Sequence, residues 1–170
     1  QVLDAQAQPV TDIPLGSLEV AGWPRRFEVP PMQVMQAANL GNRIELLGYD
    51  LYPPADASAA AEIVLYWRAA AAMEISYTTF VHVLDAAGQV IAQVDHVPGD
   101  GDFPTTGWLP GEVITDRFVI PLPPNARTNA HVIEAGAYDP ATLQRLPRLD
   151  DAGNVLDWRV LLPLQPAEAP

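Results

Sequence analysis

The 170-residue chain has no cysteine and no lysine, only three serines, and no apolar run long enough to cross a bilayer. Each absence removes a class of chemistry. Without cysteine there is no disulfide, thiolate nucleophile or thiolate metal site. Without lysine there is no Schiff-base chemistry, and Ser17, Ser58 and Ser76 stand in no GxSxG elbow. Neither a GxxxxGK[ST] phosphate loop nor an HExxH or HxxEH zinc motif occurs. A membrane-spanning helix takes about 20 consecutive apolar residues. The 49% apolar fraction here is instead scattered in short stretches such as Ala69–Ala72.

Positive charge is scarce as well. Nine basic residues, all arginine, face 21 acidic ones, for a net charge of −12. Nucleic-acid binding draws on basic clusters that neutralise phosphates, so the composition excludes that partner class. The chain begins at Gln1 with neither the basic flank nor the apolar run of a signal peptide, and it reads as a trimmed or excised domain. Its lack of cysteine is compatible with reducing and oxidising compartments alike.

What the chain has in quantity is punctuation: 18 prolines and 11 glycines without a repeat. Between the breaks, apolar and polar residues alternate with a period of two. Strands are predicted over 43–51, 62–69, 75–83, 90–95, 113–120, 132–138, 143–149 and 155–162. Residues 75–95 form the clearest hairpin, with its turn at Asp85–Gly88. A long loop is expected over 98–111. No convincing long amphipathic helix interrupts the series, which argues against a βαβ fold. The prediction is an all-β domain, a two-sheet antiparallel β-sandwich that is immunoglobulin-like or carbohydrate-binding-module-like, with a closed barrel as competitor. Residues 1–38 read as an approach and edge segment, 39–162 as the sandwich core and 163–170 as a proline-rich tail. A chain of this size buries about 70% of its extended surface, enough for a core without metal or disulfide.

Candidate chemistry is sparse, and each candidate has a structural reading beside the functional one. His82 lies too close to Asp85 and the hairpin turn to make a catalytic pair, so it reads as packed or hydrogen-bonded within the sheet. His96 borders the long loop and is the better ligand contact. His131 and Glu134 would share one side of a helix, but VIEAGAY predicts a strand, which turns them to opposite faces. Asp95, Asp100, Asp102, Glu112 and Asp116 would gather around calcium if the loop folded back, since calcium takes six to eight oxygen ligands. Solubility, turn capping and local salt bridges are the plainer roles. The same carboxylates would serve a glycoside hydrolase only as a pair about 5–10 Å apart with different protonation tendencies. Among the aromatics, Trp23, Trp67, Trp108, Tyr66 and Tyr77 raise sugar stacking. Trp67 reads as core, and Trp108, inside GWLPGE, as the exposed platform. The candidate ligand-binding set is therefore Trp108, His96, Asp100, Asp102 and Glu112, with no catalytic residue and no metal ligand assigned.

Five segments, NLGNRIELLGYDL, IVLYWRA, YTTFVHVLDAAGQVIAQVD, FPTTGWLPGEVITDRFVIPLP and GAYDPATLQRLP, carry a resemblance over roughly Asn39 to Leu162. In this order they resemble the soluble C-terminal-type β-sandwich domain of bacterial polytopic membrane proteins. Those parents are similar to dolichyl-phosphate-mannose or aminoarabinose-transferase-type glycosyltransferases. The resemblance implies a noncatalytic accessory domain on the extracytoplasmic side of a bacterial membrane, joined to a parent transmembrane domain. It implies a glycan, an acceptor or another envelope protein as partner. Catalysis in such parents belongs to a membrane-proximal loop to which nothing here corresponds. Tyr138, and Trp108, Pro110, Gly111 and Glu112 of WLPGE, look architectural in that pattern. A structural or protein-interaction sandwich without a small-molecule ligand is the alternative, and a glycoside hydrolase the outside one.

Overall fold

Among the described residues, alternation resolves into ten strands, all paired antiparallel. They are β1 (Val34–Leu40), β2 (Ile44–Tyr52), β3 (Ala61–Ala69), β4 (Thr78–Leu84), β5 (Val90–His96), β6 (Val113–Ile120), β7 (Val132–Tyr138), β8 (Arg148–Leu149), β9 (Val155–Asp157) and β10 (Val160–Pro163). The computed structural model describes residues 24–54 and 60–164. The segment before Pro24, with Trp23, most of the YPPADAS turn, and the tail after Leu164 lie outside the described residues. One sheet has the order β6-β3-β2-β1-β8-β9 and the other β10-β7-β4-β5, in a sandwich-like arrangement.

The inward positions of both sheets form one core. Leu46, Tyr49, Ile63, Leu65, Trp67 and Phe118 come from the larger sheet, and Val81, Val83, Ile133, Ala135, Val160 and Leu162 from the smaller. Burying each large apolar side chain contributes about 1.5–3 kcal/mol, so this layer is the main source of cohesion. Side-chain bonds close the two sides of the sandwich. On one side β5 lies against β6. On the other, Gln36 Nε2 on β1 donates to the Leu161 carbonyl on β10 at 2.9 Å, and the Tyr49 hydroxyl donates to the Pro163 carbonyl at 2.9 Å.

Two turns share one local solution. In Asp85–Gln89 and Asp150–Asn154 the first carboxylate accepts backbone N–H bonds from the residues two and four positions on, at 2.8–2.9 Å. Gly88 (φ 76°) and Gly153 (φ 83°) supply the left-handed backbone that each turn requires. The first turn joins β4 to β5, the hairpin expected from the alternation.

Three expectations are corrected and one is extended. β1 runs through the boundary drawn at 38/39 and pairs with both β2 and β8, so Val34–Ala38 belongs to the sheet and not to an approach segment. The stretch 155–162 is not one strand: β9 ends at Asp157 and β10 begins at Val160 in the other sheet. The chain changes sheets at Trp158–Arg159, a step that alternation does not register. The element expected over 143–149 contracts to Arg148–Leu149, preceded by an isolated bridge between Tyr138 and Arg145. After β6 the prolines do not only stop a strand, because Pro124 opens a short helix, α1 (Pro124–Asn129), where its missing N–H costs nothing. Among the described residues no helix is long and apolar enough to cross a membrane.

Candidate functional site

The predicted ligand set lies along the chain between β5 and β6, and the structure turns most of it inward. His96 ends β5, where its ring stacks on Phe118 with centroids 4.1 Å apart. Its Nε2 meets Asp116 Oδ1 at 2.9 Å and its Nδ1 meets Asp100 Oδ1 at 3.2 Å. Asp116 projects from β6 into the core and is fully buried. Four donors converge on it: His96 Nε2 and the Gly99 N–H (2.9 Å) on Oδ1, and the Thr79 hydroxyl (2.8 Å) and Trp67 Nε1 (3.2 Å) on Oδ2. A buried carboxylate is tolerable only with such satisfaction. Burial pushes the His96 pKa down, but the bond to Asp116 and the charges of Asp116 and Asp100 outweigh it and raise it above the usual imidazole value.

Trp108 is not the exposed platform expected of it. It is 4% exposed, a member of the core, with Nε1 donating to the Phe103 carbonyl at 2.9 Å. Glu112 is buried too, held by Arg25 at 2.6 Å and by the Leu109 N–H at 2.8 Å, so it ties the segment starting at Pro24 to the head of β6. Asp100 and Asp102 are exposed, and Asp100 takes a left-handed conformation (φ 57°) in the turn that brings its carboxylate to His96. The loop does fold back, but it brings donors to the carboxylates instead of gathering carboxylates around a cation. Asp95, Glu112 and Asp116 each face a histidine or arginine. Among the described residues no group of three or more histidines and carboxylates is placed to hold a metal ion.

His82 is hydrogen-bonded within the sheet as expected, in a second cluster whose other members the sequence does not bring together. On the outer face of the smaller sheet, β4 and β7 pair in a register that sets His82 opposite Glu134. His82 Nδ1 meets Glu134 Oε1 at 2.9 Å and Nε2 meets Asp95 Oδ1 at 3.0 Å. Arg145 reaches Glu134 Oε1 at 3.1 Å, and Arg159 reaches Oε2 at 2.6 Å. Burial works against ionising Glu134, yet the bonds from Arg159 and His82 and the charge of Arg145 hold its carboxyl below the usual range. Arg145 also lies over the Phe80 ring at 4.3 Å. The available signal was local: FVHVL and VIEAGAY each hold one ionisable residue in an otherwise apolar strand, which requires a partner somewhere.

The surface of the described residues also holds several concavities. An aliphatic cleft of about 380 Å³ opens at one end of the sandwich, lined by Leu51, Val83, Ile120, Ala126, Ile133 and Leu164 among others. A shallower one, of about 280 Å³, lies between Ile75, Tyr77, Gln144, Arg145, Pro147 and Trp158. Trp158, absent from the predicted set, is 46% exposed.

Chemically, the carboxylates at the centres of the two clusters, Asp116 and Glu134, are occupied by the chain's own donors, while Arg159 Nε is buried without a hydrogen-bond partner. A glycosidase-type general acid needs a carboxyl whose pKa is raised, and Glu134 is driven the other way. No protein-family model matches the chain, and no curated protein or solved structure is detectably similar to it.

Proposed function

We propose that this chain is a noncatalytic β-sandwich whose role is structural and exercised through surface contact with another protein. The observation that carries this reading is the contrast between a closed interior and an open apolar stretch. Asp116 and Glu134 are saturated by the chain's own donors. Val155, Leu156 and Leu161, by contrast, stand about half exposed on the last strand of each sheet, beside Trp158. Large exposed apolar patches mark contact surfaces more often than reaction centres, and this exposed apolar segment of the chain is the candidate. An immunoglobulin-like or carbohydrate-binding-module-like scaffold suits such a role, supported by the two antiparallel sheets and their sealed sides. The resemblance of residues 39–162 to domains of membrane-bound glycosyltransferase-like proteins supports an extracytoplasmic setting, with the parent's transmembrane portion or an envelope protein as the partner.

Because the chain has no lysine, amine-reactive crosslinking is ineffective within it. The test is a photoreactive amino acid placed at Leu156 and, as control, at exposed Thr115 on the opposite edge strand β6. One dominant protein adduct from position 156 and none from 115 is expected. Absence of any adduct, or turnover of a substrate that depends on His96 or Glu134, overturns the reading.

A further inference from the structure

His96 touches a carboxylate with each ring nitrogen, and the two carboxylates sit in opposite surroundings. Nε2 meets Asp116 Oδ1 at 2.9 Å and Nδ1 meets Asp100 Oδ1 at 3.2 Å. An ionised carboxylate only accepts, and a neutral imidazole carries one N–H, so both contacts are hydrogen bonds only when His96 is an imidazolium. Asp116 is fully buried, whereas the Asp100 side chain is 92% exposed. Asp100 also lies in a turn that needs holding. Gly99, Asp100 and Gly101 have successive φ angles of 66°, 57° and 101°, a left-handed run that is unfavourable for a residue with a Cβ and persists where surrounding contacts impose it. The turn's own bonds run from the Gly101 N–H to the Val97 carbonyl at 2.8 Å and from the Asp102 N–H to the Gly99 carbonyl at 3.2 Å.

The neutral ring has one proton to place, and burial decides where. The exposed Asp100 carboxylate can turn to water when it loses its donor, whereas the buried Asp116 cannot. The charged groups facing His96 are Asp116 from β6 and Asp100 from the loop. From β4 it meets the uncharged Thr79 hydroxyl, and Phe118 of β6 covers its ring face. Arg117 of β6, paired with Glu62, adds a positive charge that acts on Asp100. We propose that His96 is a pH-operated latch on the loop that follows β5: as an imidazolium it ties Asp100 to the buried Asp116, and loss of the Nδ1 proton frees residues 100–102 while the Nε2 bond keeps the sheets joined. Burial lowers the pKa of the ring and the two carboxylates more than offset it, so the latch stays closed further up the pH scale than a free imidazole allows. This device is independent of the contact surface around Leu156.

The test is amide hydrogen exchange and imidazole ¹⁵N NMR on the 170-residue chain through the His96 titration, with exchange expressed as protection factors so that base catalysis cancels. Neutral His96 should carry its proton on Nε2. Protection at Gly101 and Asp102 should fall about two- to five-fold as the ring loses its charge, the scale of an exposed ion pair. The Gly99 amide and the Trp67 indole N–H, both on Asp116, should keep theirs. Asp100→Asn offers an amide N–H to the bare Nδ1 and should stay latched throughout, whereas Asp100→Ala should be open at every pH. The Asp100 side chain is exposed, and an unchanged Trp67 indole resonance reports that both variants fold. A neutral ring protonated on Nδ1, constant protection at Gly101 and Asp102, an undiminished pH response in Asp100→Asn, wild-type protection in acidic Asp100→Ala, or parallel loss at Gly99 and Trp67 overturns the proposal.

Discussion

The Asp116 carboxylate on β6 accepts a hydrogen bond from His96 on β5 at 2.9 Å, across the side where the two sheets meet. The same carboxylate binds Trp67 within its own sheet, Thr79 on the facing sheet and the backbone of Gly99 in the loop. One side chain thus ties both sheets and the loop together. Asp116→Ala should cost about 3–5 kcal/mol, the range for breaking a buried charged partnership. Asp116→Asn should cost less, since it keeps the shape and part of the bonding. Urea denaturation ranks the two, and equal stability of Asp116→Ala and wild type would contradict the tether.

A pH dependence follows from His96. Its folded pKa lies above the usual 6.5, so its contribution to stability is complete below that value and is lost as pH rises through the folded pKa. Glu134 behaves oppositely. Held below its usual 4.5, it contributes fully above that value and the contribution fades as pH falls through the folded pKa. Melting temperature should therefore decline on the alkaline side of pH 6.5 in wild type, and this limb should flatten in His96→Gln. Imidazole titration by NMR measures the same shift directly.

Glu134→Ala should destabilise by about 3 kcal/mol, the low end for a broken buried pair, because Arg145 and Arg159 are each about one-third exposed and regain water. His82 would remain with Asp95. Chemical denaturation checks the size, and a loss as small as that of a surface pair, about 0.5 kcal/mol, would show that the cluster is not cohesive.

Gly136 faces the fully buried Phe80 ring across the β4–β7 pair, where an added Cβ would stand 2.6 Å from Phe80 Cζ. Gly136→Ala should cost about 1–3 kcal/mol through overpacking. The double variant Gly136→Ala/Phe80→Leu should be less destabilised than the sum of the two single changes. Strict additivity in thermal melts would mean that the ring and the glycine do not meet.

Trp108→Ala should cost about 3–5 kcal/mol, as for other buried large aromatics. Trp108→Phe should recover most of this and lose the Nε1 bond to Phe103. Retention of wild-type stability by Trp108→Ala would place the ring outside the core.

The sequence by itself determined the fold class. Period-two alternation over 43–51, 62–69, 113–120 and 132–138, and the Asp85–Gly88 turn, are local properties: strand pleat and turn chemistry read only a few neighbouring residues. Composition equally determined what this protein cannot use, since a missing cysteine or lysine needs no fold to be absent. The tertiary structure alone decided where polar side chains went. In one dimension Trp108 reads as the exposed aromatic and Trp158 is not a candidate, yet the chain around Thr105–Gly107 carries the first into the core while the crossing between sheets leaves the second half exposed. His82 and Glu134 are 52 residues apart and meet only through strand register. Asp116 reads as one more acid until β5, β3 and β4 bring it donors. Burial and long-range hydrogen bonding are properties of the packed sheets, and a strand's own alternation cannot say which distant partner will face it.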